Sequence, residues 1–243
     1  MGAFKTVSVM GIDFINTTKE EFLEKGLIPI LNRNEKCFVV TANPEIVMKA
    51  NEDHEFKRII QSADFVVPDG AGILMAARHK KQPLQERIAG TDIMMDLLSY
   101  ANEKGLSCFF LGASEAVNEK VVLEVRKQFP FVKIAGSHHG FFPFDDTTIV
   151  EGVRKANPDL VFVATGFPRQ EKWISQNLDT FEKGIFIGVG GSFDVLSGEV
   201  KRAPETWIKL NLEWLYRLIK QPFRFVRVLK IFKFMFRIWF KRS

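Results

Sequence analysis

FVVPDGAGIL, residues 65–74, decides how the chain is read. A run of β-branched and aromatic residues ends at Pro68, a single acid follows, and Gly70 and Gly72 open a segment of helical character. A short apolar run halted by Pro, Asp and Gly reads as a buried strand passing into a turn. The same grammar recurs in CFVVTANPEIV (37–47), CFFLGAS (108–114), VFVATGFP (161–168) and IFIGVGG (185–191). Strands are expected near 6–12, 36–42, 64–68, 106–111, 132–137, 159–165 and 184–189. Amphipathic helices are expected near 18–32, 45–62, 71–79, 91–104, 115–129, 146–156 and 169–181. This alternation predicts an α/β fold: a mostly parallel sheet with helices on both faces.

At 243 residues the chain can bury a substantial core. The two cysteines, Cys37 and Cys108, both stand inside apolar runs and read as small buried hydrophobes of a reducing compartment. The first residues lack a cationic region followed by a long apolar core, so no secretory signal is expected. No uncharged apolar run reaches the ~18–20 residues that span a bilayer. The net charge of +5 hides an asymmetry: residues 201–243 hold twelve Lys/Arg against two Glu, leaving −5 for residues 1–200. Two parts follow, an α/β domain over 1–200 and a basic amphipathic helical appendage over 201–243.

Open α/β sheets bind ligands beyond the carboxyl ends of their strands, so chemistry is sought there. Thr41 and Asn43 stand where one strand meets a helix; Asn43 also suits a helix cap, and Pro44 the first helical turn. In LGAS, Gly112 would let a ligand approach the backbone, with helix-start N–H groups beyond it for an anion; Ser114 is equally an ordinary cap. GVGGSFD (188–194) offers Gly190 and Gly191 to a bulky ligand or to tight packing. It lacks the third glycine of a dinucleotide fingerprint and a Walker lysine. In GFPRQEKW (166–173), Gln170 could hydrogen-bond a sugar or base, whereas Glu171 and Lys172 read as an exposed first helical turn. His138 and His139, adjacent in a strand, should point to opposite faces. With no His-Glu-x-x-His, Cys-x-x-Cys or Asp-x-Asp, no metal and no cofactor are expected. Asp69 is placed at the sheet mouth to accept a proton from a substrate hydroxyl, although Pro-Asp-Gly is also a common turn.

The appendage repeats its cations every three or four residues, at Arg217, Lys220, Arg224, Arg227, Lys230, Lys233, Arg237 and Lys241. One cationic row would run down a helix otherwise made of Phe, Val, Leu, Ile, Met and Trp, with a kink or a new start at Pro222. Such a helix should lie in a membrane surface, aromatics in the acyl boundary and cations at anionic headgroups. The apolar surface is too large for a nucleic-acid site, and self-association would cover it away from a membrane.

Taken together, TANPEIV, VVPDGAGIL, RIAGTD, FFLGAS, SHHGFF, VATGFPRQEKW, GVGGSFDVLSGEVKRAP and LEWLYRLIKQPFR resemble the WecG/TagA/CpsF glycosyltransferases along nearly the whole chain. The resemblance implies a Rossmann-like fold and an inverting, metal-independent transferase. Typical members move N-acetylmannosamine or its uronic acid from UDP to undecaprenyl-diphosphate-linked GlcNAc, priming wall teichoic acid or other surface polysaccharide. It implies Asp69 as general base, Thr41, Asn43, Arg87 and Gln170 as active-site positions, and Arg217, Arg224 and Arg227 as grips on the acceptor diphosphate. It also implies a cytoplasmic protein held peripherally on the inner face of the plasma membrane. A nucleotide-dependent α/β enzyme of another class and a non-catalytic membrane adaptor are the alternatives.

Overall fold

The computed structural model describes residues 4–209, 213–220 and 225–240. Six strands form one wholly parallel sheet: β3 (Lys36–Ala42), β4 (Phe65–Pro68), β5 (Ser107–Gly112), β6 (Lys133–His138), β7 (Leu160–Ala164) and β8 (Gly184–Gly188). Their order across the sheet is β4-β3-β8-β7-β5-β6. Two short strands precede them, β1 (Thr6–Val9) and β2 (Ile12–Ile15). The expected single strand over 6–12 is therefore a hairpin. Met10 and Gly11 both take positive φ, the backbone of a tight two-residue turn, and the antiparallel pair lies beside the β4 edge.

Side chains alternate across the sheet because successive residues of a strand face opposite ways. From β3, Phe38, Val40 and Ala42 enter one core and Cys37 and Val39 the other. Both faces are covered, which is why these strands read as unbroken apolar runs. One face carries α3 (Pro44–Glu52), α4 (His54–Gln61), α5 (Ala71–His79), α8 (Thr147–Ala156) and α9 (Arg169–Asn177). The other carries α6 (Gly90–Lys104), α7 (Glu115–Gln128), the short α10 (Ser192–Leu196) and a continuous helical segment over 19–32. That segment passes from α1 (Lys19–Glu21) through a π-helical stretch (Phe22–Leu27) to α2 (Ile28–Asn32). The helix expected over 45–62 is two helices. Asp53 leaves helical geometry and caps α4 through Phe56 N–H at 3.0 Å.

Beyond residue 200 the chain is helical again, in α11 (Glu205–Lys209), α12 (Glu213–Lys220) and α13 (Phe225–Phe240). The segment around Pro222 lies outside the described residues. α13 docks on α3 and α5 and joins their core: Phe234, Met235 and Ile238 are buried, and Phe234 lies over Gly72. Its cations do not all turn outward as the sequence suggests. Lys230 pairs with Glu45, and Lys233 and Arg237 both pair with Glu52, at 3.4–3.5 Å. A third face, Leu229, Phe232, Phe236 and Trp239, is half or more exposed. Among the described residues no helix is long and apolar enough to cross a membrane.

Gly112 shows how tightly the strand ends meet. Its φ is +140°, and a Cβ there would stand 2.4 Å from the Ala164 carbonyl carbon at the end of β7. Packing between β5 and β7, more than approach of a ligand, accounts for the glycine. Replacing it by alanine combines left-handed strain with a backbone clash, so Gly112→Ala should cost at least about 2 kcal/mol in urea unfolding.

Candidate active site

All six carboxyl ends emerge on one rim, and the charged residues gather over β4, β3 and β8. Asp69 follows the last residue of β4, and its N–H donates to Ala42 O at 2.9 Å, locking the acid to the end of β3. Ile88 N–H donates to Pro68 O at 2.9 Å, which brings the 87–90 segment alongside. Asp69 Oδ1 is then 3.5 Å from the Arg87 guanidinium, and Oδ2 is 3.5 Å from the N–H of Gly90, the first residue of α6. Both contacts are long, at the limit of hydrogen-bond distance. The side chain keeps 26% of its surface exposed.

Arg87 is shared. Its Nη2 donates at 2.8 Å to Glu213, the buried first residue of α12. Burial works against the charged guanidinium, but the carboxylates of Asp69 and Glu213 outweigh it and hold Arg87 above its ordinary range. The appendage thus supplies one carboxylate of a three-residue charge chain, Asp69–Arg87–Glu213. Beside Arg87 a cleft of about 340 Å³ opens between α5, residues 85–92 and α11, lined in part by Leu74, Arg78, Asp92 and Ile208.

Thr41 is nearly buried at the end of β3 and donates to Gly188 O at 2.9 Å; its hydroxyl also explains the bare Gly90, where a Cβ would approach it to 3.1 Å. Asn43 caps α3, its Oδ1 accepting from Glu45 N–H at 2.9 Å and Ile46 N–H at 3.1 Å. Gln170 is 4% exposed: its Oε1 accepts from Gly190 N–H at 3.2 Å and its Nε2 donates to Glu171 at 2.8 Å. Gly191 follows on the same loop, where a Cβ would meet Asp194 at 3.4 Å. Asp69, Thr41, Asn43, Arg87, Gln170 and the glycine loop therefore share one half of the rim. Gly112 does not. β8 and β7 separate β5 from β3, a distance of roughly 14 Å at the usual strand spacing. There the buried Asn118 amide ties Phe110 O, Gly112 O and His138 O together at 2.9–3.1 Å. His138 and His139 do not point apart: the strand ends at His138, and the two rings stand 4.4 Å from one another. Arg224 lies outside the described residues, as do the side chains of Arg217 and Arg227.

Two residues escaped the sequence reading. Glu213 was one of two acids in a cationic segment, a contrast that could have marked it. Glu171 is not exposed at all; it is 1% accessible. Its period gives it away afterwards, since it lies one turn before the buried Ile174 on α9. Burial pushes its carboxyl up to about 7, against hydrogen bonds from Gln170 and from its own backbone N–H. Among the described residues no group of three His, Cys, Asp or Glu side chains is placed to hold a metal ion.

The model of the glycosyl transferase WecG/TagA/CpsF family matches residues 7–243. The chain belongs to that family. Its curated relatives include the N-acetylglucosaminyldiphosphoundecaprenol N-acetyl-beta-D-mannosaminyltransferase of Bacillus subtilis (strain 168), 40% identical over 230 residues, which is 95% of this chain and 90% of that protein. The enzyme of the same name from Bacillus spizizenii (strain W23) is 38% identical over 95% of this chain and 89% of its own. That of Staphylococcus aureus (strain MW2) is 37% identical over 96% and 91%. Within the WecG/TagA/CpsF frame, the half-rim around Asp69 is the active-site candidate.

The buried acid makes a stability prediction. A carboxyl raised from 4.5 to about 7 in the folded state favours folding fully below pH 4.5, and that contribution is lost as pH rises through 7. Glu171→Gln removes the titration. Between pH 4.5 and 8 the unfolding free energy of the variant should gain on wild type by up to roughly 3 kcal/mol, measured by urea titration at each pH.

Proposed function

We propose that the protein transfers an N-acetylmannosaminyl group from UDP to the GlcNAc of a polyprenyl-diphosphate acceptor, with inversion and without a metal ion. The observation that carries the reading is Asp69. It is a half-shielded carboxylate at a sheet mouth, within reach of one cation and one helix-start N–H, on a chain of this family. Asp69 takes the proton of the attacking GlcNAc hydroxyl, O4 in the family's usual reaction, as that oxygen bonds to the anomeric carbon. The bond from that carbon to the UDP oxygen breaks on the opposite face, which inverts the centre. Leaving-group charge would fall to cationic side chains and backbone N–H groups; Arg87, held in the charge chain, is the described cation nearest Asp69. The donor lies over the bare glycine loop 188–191. The acceptor enters from the cleft beside Arg87, whose wall sets Leu74 and Ile208 beside Arg78 and Arg87, with the acids Glu86 and Asp92 on the same wall. The product class is a lipid-linked disaccharide primer for wall teichoic acid or a related surface polysaccharide.

The lipid on that acceptor calls for a membrane-facing protein. The exposed row Leu229, Phe232, Phe236 and Trp239 provides an apolar face, and the adjacent Lys230 and Lys233 remain half exposed despite their pairing with α3. A peripheral position on the inner leaflet of the plasma membrane follows from a water-borne UDP-sugar and a membrane-borne acceptor.

Release of UDP from UDP-N-acetylmannosamine, with a short-chain lipid-diphosphate-GlcNAc analogue and EDTA present, tests the activity; dependence on added metal would overturn the metal-free mechanism. Asp69→Asn should lower kcat by about 10²–10⁴-fold with folding intact, and near wild-type turnover would place the base elsewhere. Exchanging Phe232, Phe236 and Trp239 for Ser should abolish sedimentation with vesicles of anionic phospholipid. Undiminished sedimentation would remove this face from the membrane contact.

A further inference from the structure

Gln170 and Glu171 are consecutive, polar and buried, an arrangement that a helix resting on a core rarely carries. Each end of the Gln170 amide meets a partner that admits only one orientation. Gly190 N–H is a fixed backbone donor, so the amide oxygen must face it, at 3.2 Å. The carboxyl of Glu171 takes the amide nitrogen at 2.8 Å. The strand end is cut to fit: a Cβ at Gly188 would stand 2.6 Å from Gln170 Nε2. From the other side Thr41 donates to Gly188 O at 2.9 Å, which carries the connection to the end of β3 beside Asp69.

We propose that Glu171 is a positioning residue. By accepting from Gln170 it fixes the amide, and through the amide it fixes the course of the glycine loop 188–191 on which the donor lies. The inference rests on the donor assignment given above. It recasts Gln170, whose amide bonds to Glu171 and Gly190 inside the protein, as a strut for the loop before it is a contact for a sugar or base. Either protonation state of Glu171 leaves Oε1 able to accept, so the strut holds whether the group is charged or neutral. The second oxygen, Oε2, is buried and has no hydrogen-bond partner among the described residues. An apolar side chain of similar size would avoid the desolvation of that oxygen. A carboxyl retained at such a cost, one residue from the strut and one turn from the rim, is expected where the exact set of the loop governs binding.

The test uses the full-length protein at pH 8 and reads UDP affinity by calorimetry beside donor KM and kcat. Glu171→Leu removes the acceptor. UDP Kd and donor KM should each rise about tenfold, with kcat changed less than threefold. Glu171→Gln keeps a carbonyl for Gln170 and should restore both constants to within threefold of wild type. Should the leucine variant fail to fold, the pair Gln170→Glu and Glu171→Gln stands in for it. Gln170→Glu alone sets two acids against one another and should raise donor KM; the double exchange reverses the polarity of the bond while still accepting from Gly190, and should recover it. A folded leucine variant with unchanged Kd and KM overturns the inference. So does a glutamine variant as impaired as the leucine one, or a double exchange that recovers nothing. A wild type that binds no UDP overturns the donor assignment itself. Wild-type binding and turnover with an unaffected leucine variant overturn the relay alone.

Discussion

A wholly parallel sheet has no hairpin ends, and this constraint organises the rest of the molecule. Every strand must be re-entered from the same side after a crossover, so all six carboxyl ends open on one rim. Residues far apart in sequence become neighbours only there. Asp69 after β4, Thr41 and Asn43 at the end of β3, Gly188–Gly191 at the end of β8 and Gln170 after β7 share that rim for topological reasons. The hydrogen bonds from Asp69 N–H to Ala42 O and from Ile88 N–H to Pro68 O then convert proximity into fixed geometry. Catalysis by positioned charge needs this kind of preorganisation.

The second organising element is the Arg87 guanidinium between two carboxylates. A largely shielded cation with acid on both sides is costly to break from either side, since removal of one partner strands the other. Here one partner belongs to the α/β body and the other to α12 of the appendage, so the appendage is joined to the candidate site and not merely appended to the fold. α13 adds an independent attachment through Phe234, Met235 and Ile238 and through ion pairs to α3.

Much of this was legible in the sequence. Strands buried on both faces read as plain apolar runs, and the acid closing FVVPD stood out by its place at a strand end, although a Pro-Asp-Gly turn alone would also account for it. What the sequence could not show was partnership. Glu213 lies 126 residues beyond Arg87, and no periodicity reports such a pairing. The tail's cations were recognisable as a row, but lipid headgroups and the acids of α3 are equivalent counter-charges until the fold chooses. Glu171 was misread because a charged residue in a first helical turn usually faces water, and only the apolar residues one turn on reveal the inward face. The hairpin at Met10–Gly11 hid in an alternation of apolar residues that suits one strand as well as two.

The docking of α13 also bears on how the chain is made. The face of α3 and α5 that it covers is synthesised early, whereas Phe234, Met235 and Ile238 come near the end of the sequence. Until they arrive, the growing polypeptide carries an unsealed apolar seam on its first-formed half and cannot close its core by local contacts. Closure of this part of the core is therefore a contact of high sequence separation, which forms more slowly than packing between neighbouring elements.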